Sequence, residues 1–338
     1  MPLNPRTLRS VLRYVPQSVM DRRANRNCAD ERILAMRYAG RRTPTVGPLL
    51  DWLSEEFPEV RRRFELRLFP TRIRDWSPYR LHLPWLQDPV QRWSRRVYAM
   101  AMTVATQAGA NGVPVLNPVD RMTNASKTEG ARRMAGAGVR TAKTIPILDR
   151  EQLLSLDPPV IIREDWAHGG PYDLARTPDE LQRVRLGRFE RPVAVEFIDA
   201  QCDDGIYRKY RAAVAGDDVV PVHIHATEHW RTKGGANIKS DALRDEEEAF
   251  TTRPDPNAAR LIEARKALEL EFAAFDYAYD REGGLVIWEA NMLPSLHVSF
   301  AYRAYRKPAV YRTFAAMTRL YLRRAGFAVP DRLEALRV

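Results

Sequence analysis

The chain has 338 residues, enough for a large core and two or three subdomains. Its 54 Lys and Arg against 43 Asp and Glu leave a formal charge of +11, a surplus that draws nucleotide phosphates, acidic substrates, nucleic acid or anionic lipid. Two cysteines, Cys28 and Cys202, exclude a disulfide framework and point to a reducing, cytoplasmic setting.

Residues 1–60 read as helical and basic, with Leu8, Val11, Leu12 and Val15 at helical spacing and Arg22, Arg23 and Arg26 toward the polar side. No uninterrupted apolar run marks a signal peptide there. Residues 64–69 alternate apolar and polar as a half-buried strand does, and 80–83 is the strand candidate of an irregular, Trp- and Pro-bearing stretch. A helix over 89–109 leads into a strand at 113–118. The apolar run from Val97 to Leu116 is broken by Gln107, Gly109, Asn111 and Gly112, so it reads as a buried helix and not as a membrane span. Strands alternating with helices give an α/β domain with a mainly parallel sheet over residues 1–118.

A second unit, 119–195, starts with a helix capped by Asn124 or Ser126 and stopped near Gly138. Strands follow at 143–148, 159–163 and 192–198. Between them lie a short helix from Arg150, a glycine-bearing loop over 166–172, and a helix capped by Thr177 with Pro178 at its first position. The third unit, 196–338, holds strands at 208–215 and 219–225, a polar loop over 229–248, a helix over 257–272, a strand hairpin, and a helical end over 302–324 with interleaved Tyr and Arg.

The hairpin carries the most specific pattern. Asp276 and Glu289 are separated by a turn sequence, Asp280-Arg281-Glu282-Gly283-Gly284, and Asn291 follows Glu289 by two. Strand residues i and i+2 share a face. Two carboxylates and an amide oxygen suit Mg²⁺, or Mn²⁺ in its place, and not Zn²⁺; Mg²⁺ held by so few protein groups also takes substrate phosphates.

These residues and their order resemble the ATP-grasp superfamily of carboxylate–amine ligases over about 113–296. Asp276, Glu289 and Asn291 match the metal triad of D-alanine–D-alanine ligase-like members, and Pro294 sits where that family often has a proline. The resemblance implies an ATP-grasp fold: an N-terminal α/β domain and two lobes gripping ATP. It implies that Lys127 touches the nucleotide phosphates and that Arg163 stands where the family usually has a lysine. His168, Gly169 and Gly170 match the small loop over the phosphates. Glu196, Phe197 and Ile198 fall on the strand that pairs with adenine, and Asp203 or Asp204 on the ribose. Arg211 points toward phosphate or acyl phosphate. Many dipeptide-forming relatives carry an arginine two residues before the first metal Asp; here that residue is Ala274, so the oxyanion role falls elsewhere, with Arg231, Lys233 and Lys239 as candidate suppliers, or is absent. His297 lies beside the reaction centre, and the loop from Thr227 to Arg244 would cover it.

The expected chemistry is activation of a carboxylate as an acyl phosphate and its capture by an amine. The carboxylate and amine substrates are small molecules or peptides of anionic character. No nucleic-acid partner is expected, and the oligomeric state is open. An ATP-dependent phosphotransferase is the alternative. A zinc site at His223, His225, Glu228 and His229 is a competing reading, and so is single-strand nucleic-acid binding by residues 302–307.

Overall fold

The computed structural model describes residues 5–38, 45–86, 90–166, 170–232, 237–296 and 301–338, with backbone alone at 5–13, 92–93 and 301–303. Two compact units emerge, one drawn from residues 1–120 and 293–337, the other from 121–292.

The first unit opens with α1 (Pro5–Ala24), β1 (Arg32–Tyr38), α2 (Val46–Glu56), α3 (Pro58–Arg61), β2 (Phe64–Phe69), β3 (Tyr79–Trp85), α4 (Val90–Trp93) and α5 (Arg95–Ala110). Its sheet is parallel in the order β2-β1-β3. The central strand β1 falls inside the stretch expected to be helical. Ile33, Leu34, Ala35 and Met36 are all fully buried. A short apolar run covered on both faces has no alternation, so periodicity cannot separate it from a helix. The helix expected over 89–109 is two helices. Ser94 takes extended backbone between them, and its side chain accepts from Val97 N at 3.3 Å. The strand expected at 113–118 is reduced to one parallel bridge between Val115 and His82.

The second unit follows with α6 (Lys127–Gly136), β4 (Thr144–Pro146), α7 (Arg150–Leu154), β5 (Val160–Glu164), β6 (Tyr172–Ala175), α8 (Pro178–Arg183), β7 (Pro192–Glu196), β8 (Tyr207–Ala215), β9 (Asp218–Thr227), α9 (Asp241–Thr251), α10 (Ala258–Ala267), β10 (Phe272–Tyr279) and β11 (Leu285–Asn291). Two antiparallel sheets result, β4-β7-β5-β6 and β11-β10-β8-β9. The caps act as the side chains dictate: Ser126 and Thr177 accept from the backbone three residues on, at 3.3 Å each. Asn124 does not cap; its amide donates to Leu268 O at 2.9 Å. Strand β6 and helix α9 occupy stretches expected as loop. α10 ends at Ala267, five residues short of the expected stop, and Glu269 turns the chain at φ 53 before β10.

The chain then returns to the first unit with α11 (Lys307–Arg324) and α12 (Asp331–Glu334), although residues 196–338 were expected to form one subdomain. Arg319 of α11 is buried, donating to Leu333 O at 2.8 Å and Leu336 O at 3.0 Å. Phe314 packs near Trp52, and Tyr321 near Phe64 and Trp85. The Tyr/Arg alternation in α11 therefore builds core.

His82, on β3, is buried, with Nδ1 donating to Leu34 O at 3.1 Å and Nε2 meeting no partner among the described residues. Protonation would add a buried N–H with no acceptor. Burial pushes its pKa down from 6.5 to about 4, against a weaker opposite pull from the Leu34 carbonyl. The unfolded chain takes up this proton near 6.5 and the folded chain near 4. His82 thus contributes full stability above pH 6.5, which is lost as pH falls toward 4. Urea unfolding at about pH 7 and about pH 4.5 should show about 2 kcal/mol more loss in the wild type than in His82→Gln; equal losses would refute the assignment.

Candidate functional site

The β10–β11 hairpin is set by its turn. Asp280 Oδ1 accepts from Gly284 N at 2.6 Å and Glu282 N at 3.1 Å, Asp280 N donates to Gly284 O at 3.0 Å, and Gly283 takes φ +77. A side chain at Gly284 would strike Arg140 and Asp280, which form an ion pair there. This turn places Asp276 directly opposite Glu289, and Ala274 opposite Asn291. On the other side of β10, Asp276 faces Arg211 of β8, which faces His223 of β9. One row, His223–Arg211–Asp276–Glu289, thus crosses all four strands on a single face.

Asp276 is 1 % exposed. Its carboxylate accepts from Arg211 Nε at 2.5 Å and Nη2 at 2.9 Å, and pairs with Lys209 Nζ at 2.8 Å. Burial pushes its pKa up, but Arg211 and then Lys209 override that and hold it well below the usual carboxylate range. Glu289 pairs with Lys127. Burial again opposes ionisation, yet the Lys127 ammonium brings the Glu289 pKa down from 4.5 to about 2. Lys127 begins α6 and is itself buried, which lowers its pKa despite Glu289. Two groups fix that helix end: Ser126, and Asp165 Oδ1, which accepts from Thr128 N at 2.8 Å. Arg163 of β5 acts electrostatically on both Lys127 and Glu289, and its buried Nε has no hydrogen-bond partner among the described residues.

Lys127, Arg163, Gly170, Glu196, Phe197, Ile198, Lys209, Arg231, Asp276 and Glu289 all line one cavity of about 370 Å³ between the two antiparallel sheets. Gly170, at φ +86, lies so close to the Glu164 side chain that a Cβ there would collide with it. Glu196 accepts from Lys143 N at 3.0 Å. Trp230 sits edge-on to Phe197 at 5.9 Å and to Tyr172 at 6.0 Å, while the Arg231 guanidinium lies 4.8 Å over the Tyr172 ring.

Other expected residues fall elsewhere. Arg211 is not in the cavity lining; it clamps Asp276. Asn291 is buried on the same strand face as Glu289 and also lies outside the lining. Asp204 is exposed in a turn, bonded to Arg208 at 2.7 and 2.9 Å and accepting from Ile206 N at 3.1 Å, so its side chain serves the turn. Lys239 is exposed, six residues beyond Lys233 and ahead of α9. His168, Gly169, Lys233 and His297 lie outside the described residues. Lys209 and Trp230 are additions. Lys209 had a signal, since it precedes Arg211 by two on one strand and must share its face; Trp230 had none.

No group of three or more His, Cys, Asp or Glu among the described residues could hold a metal ion, so the zinc reading fails. The His223 and His225 rings do meet at 4.3 Å, but no third His, Cys, Asp or Glu among the described residues joins them as a ligand. The Asp276–Glu289 pair with Asn291 is a different donor set. Its hard oxygens are of the kind that suit Mg²⁺ or Mn²⁺, and Arg163 lines the same cavity as Asp276 and Glu289.

Among solved structures, the chain is similar to a RimK-domain ATP-grasp protein from Sphaerobacter thermophilus, with a TM-score of 0.53 and 16% identity over 86% of this chain and 99% of that one. It is also similar to the ATP-grasp ligase PsnB complexed with precursor peptide PsnA2 and AMPPNP (TM-score 0.50, 14% identity, 85% and 98% covered). A third similar structure is the macrocyclase MdnC of Microcystis aeruginosa bound with precursor peptide MdnA (TM-score 0.51, 11% identity, 83% and 99% covered). No family model and no curated protein matches the sequence. The chain has the ATP-grasp fold.

Arg211→Met removes two bonds from a buried carboxylate and should cost about 3 kcal/mol in urea unfolding. Adding Asp276→Asn should recover part of that loss, because the uncompensated charge goes with it. A double variant less stable than the sum of the singles would contradict the clamp.

Proposed function

We propose that this chain is an ATP-dependent ligase that joins a carboxylate to an amine with formation of ADP and phosphate. The observation that carries the reading is the charge imbalance around the carboxylate pair. Lys127, Arg163, Lys209 and Arg211 surround Asp276 and Glu289, four cations against two anions. That excess matches a nucleoside triphosphate–Mg²⁺ complex, which carries roughly two negative charges.

Asp276, Glu289 and Asn291 would hold Mg²⁺ or Mn²⁺, whose chemistry is to neutralise and align the terminal phosphates. Lys127 and Arg163, which line the cavity, would bind phosphate oxygens directly. Phe197, Ile198 and the backbone at Glu196 would take the base. The nucleotide supplies the γ-phosphoryl group that converts a substrate carboxylate into an acyl phosphate, and an amine then displaces phosphate. The protein contributes position and electrostatics, not a nucleophile. Arg231, which lines the cavity, would meet charge on the reacting carbonyl, and Lys233 and His297 remain candidates for the same role. The substrate is an anionic amino acid or peptide. PsnB and MdnC, both seen with precursor peptides, support a peptide.

A second reading, a phosphotransferase, rests on Ala274. It is buried, faces Ala213 and Asn291 across the sheet, and offers no charge for a tetrahedral intermediate.

Calorimetric titration with a non-hydrolysable ATP analogue is the first test. Binding should require Mg²⁺ and weaken about 10- to 100-fold in Glu289→Gln and in Lys127→Ala. Absence of binding to the folded wild type would sink both readings. ADP release that needs a carboxylate and an amine together supports the ligase; release with a hydroxyl acceptor alone supports the phosphotransferase.

A further inference from the structure

Helix α1 is mounted with its polar side inward. Tyr14 Oη and Thr71 Oγ1 share a hydrogen bond at 3.2 Å. Asn25 donates to Leu66 O at 2.8 Å and accepts from Leu66 N at 2.9 Å, just past the helix end. Asp21 accepts from Arg37 at 2.8 Å. The opposite side carries Val15 at 56 %, Val19 at 43 % and Met20 at 67 % exposure, with Pro16 exposed beside them. Of the six exposed large apolar side chains among the described residues, these are three, gathered within six positions. An ordinary surface helix is built the other way round. The sequence spacing runs back through Leu12, Val11 and Leu8.

The charge on this helix has one sign. It contains five arginines and one acidic residue, Asp21, which is buried against Arg37. Arg22 and Arg23 are exposed next to the apolar strip. We propose that α1 docks the protein on the surface of a membrane rich in acidic phospholipid. The apolar strip would enter the boundary between headgroups and acyl chains, and the arginines would meet lipid phosphates.

Shape and charge decide among occupants. A second copy would set arginine against arginine. An acidic peptide would match the arginines but leave the apolar strip in water, whereas a bilayer interface takes the strip and supplies negative charge. Among the described residues no helix is long and apolar enough to cross a membrane, so the association is peripheral.

The test is co-sedimentation of the full chain with phosphatidylcholine vesicles and with vesicles in which about a third of the lipid is phosphatidylserine, at low and high salt. Far-UV circular dichroism verifies that each variant is folded. Binding should require the acidic lipid, weaken with salt, and fall about fivefold for each of Arg22→Gln and Arg23→Gln. It should vanish in the Val15→Asp, Val19→Asp double variant. No binding of the wild type to acidic vesicles overturns the proposal, as does binding that survives the double aspartate variant, which would mark nonspecific adsorption of a cationic chain. Capture by soluble polyglutamate that depends on Val15 and Val19, without vesicle binding, would replace the membrane with an acidic peptide. A dimer lost in the double variant would replace it with a second copy.

Discussion

Everything in the second unit turns on keeping the Asp276 carboxylate ionised while it is buried. A lone buried carboxylate would take up a proton; this one is held charged by Arg211 through two bonds and by Lys209 through a third. Those three side chains meet only in the observed register of β8 and β10. A slip of one residue would turn every side chain of the row to the other face. The other face enforces the same register. Tyr210 and Tyr277, direct neighbours across β8 and β10, stack there at 5.5 Å, and Phe250 and Tyr279 close on Tyr210 at 5.2 and 5.7 Å. Tyr277 Oη donates to Asp255 at 2.6 Å, tying that aromatic layer to the start of α10. A polar row and an aromatic layer therefore fix one another through a single sheet.

The second carboxylate is handled from outside that sheet. Lys127 reaches Glu289 from the first residue of α6, and two acceptors, Ser126 and Asp165, hold that helix end. Arg163 comes from the other sheet. The cations thus converge from elements far apart in the chain, at the cost of mutual repulsion. An anion bound among them relieves that repulsion and favours the folded form by mass action. Site and stability are coupled here through charge.

Much of this was legible in the sequence because local rules sufficed. The Asp280–Gly284 turn, the i and i+2 spacing of Glu289 and Asn291, and the caps at Ser126 and Thr177 need only near neighbours. What stayed hidden depends on burial by distant segments. β1 looks helical until both of its faces are seen to be covered. The spacing of Val15 on α1 does not say which side the rest of the unit covers. Asp204 carried a turn sequence and proved to be a turn. Lys209 was the avoidable omission: Lys209-Tyr210-Arg211 alternates strictly, so any role for Arg211 implied a second cation on its face.

The presence of arginine at 163, where a lysine resembles the family pattern more closely, has a physical consequence. Burial lowers the pKa of Lys127 even with Glu289 beside it, so each further buried lysine would be still harder to keep charged. A guanidinium stays protonated under the same conditions and spreads its charge over a planar fork. Arg163 lines the cavity beside Lys127, and the geometry of a guanidinium favours two oxygens of one tetrahedral anion over a single point contact.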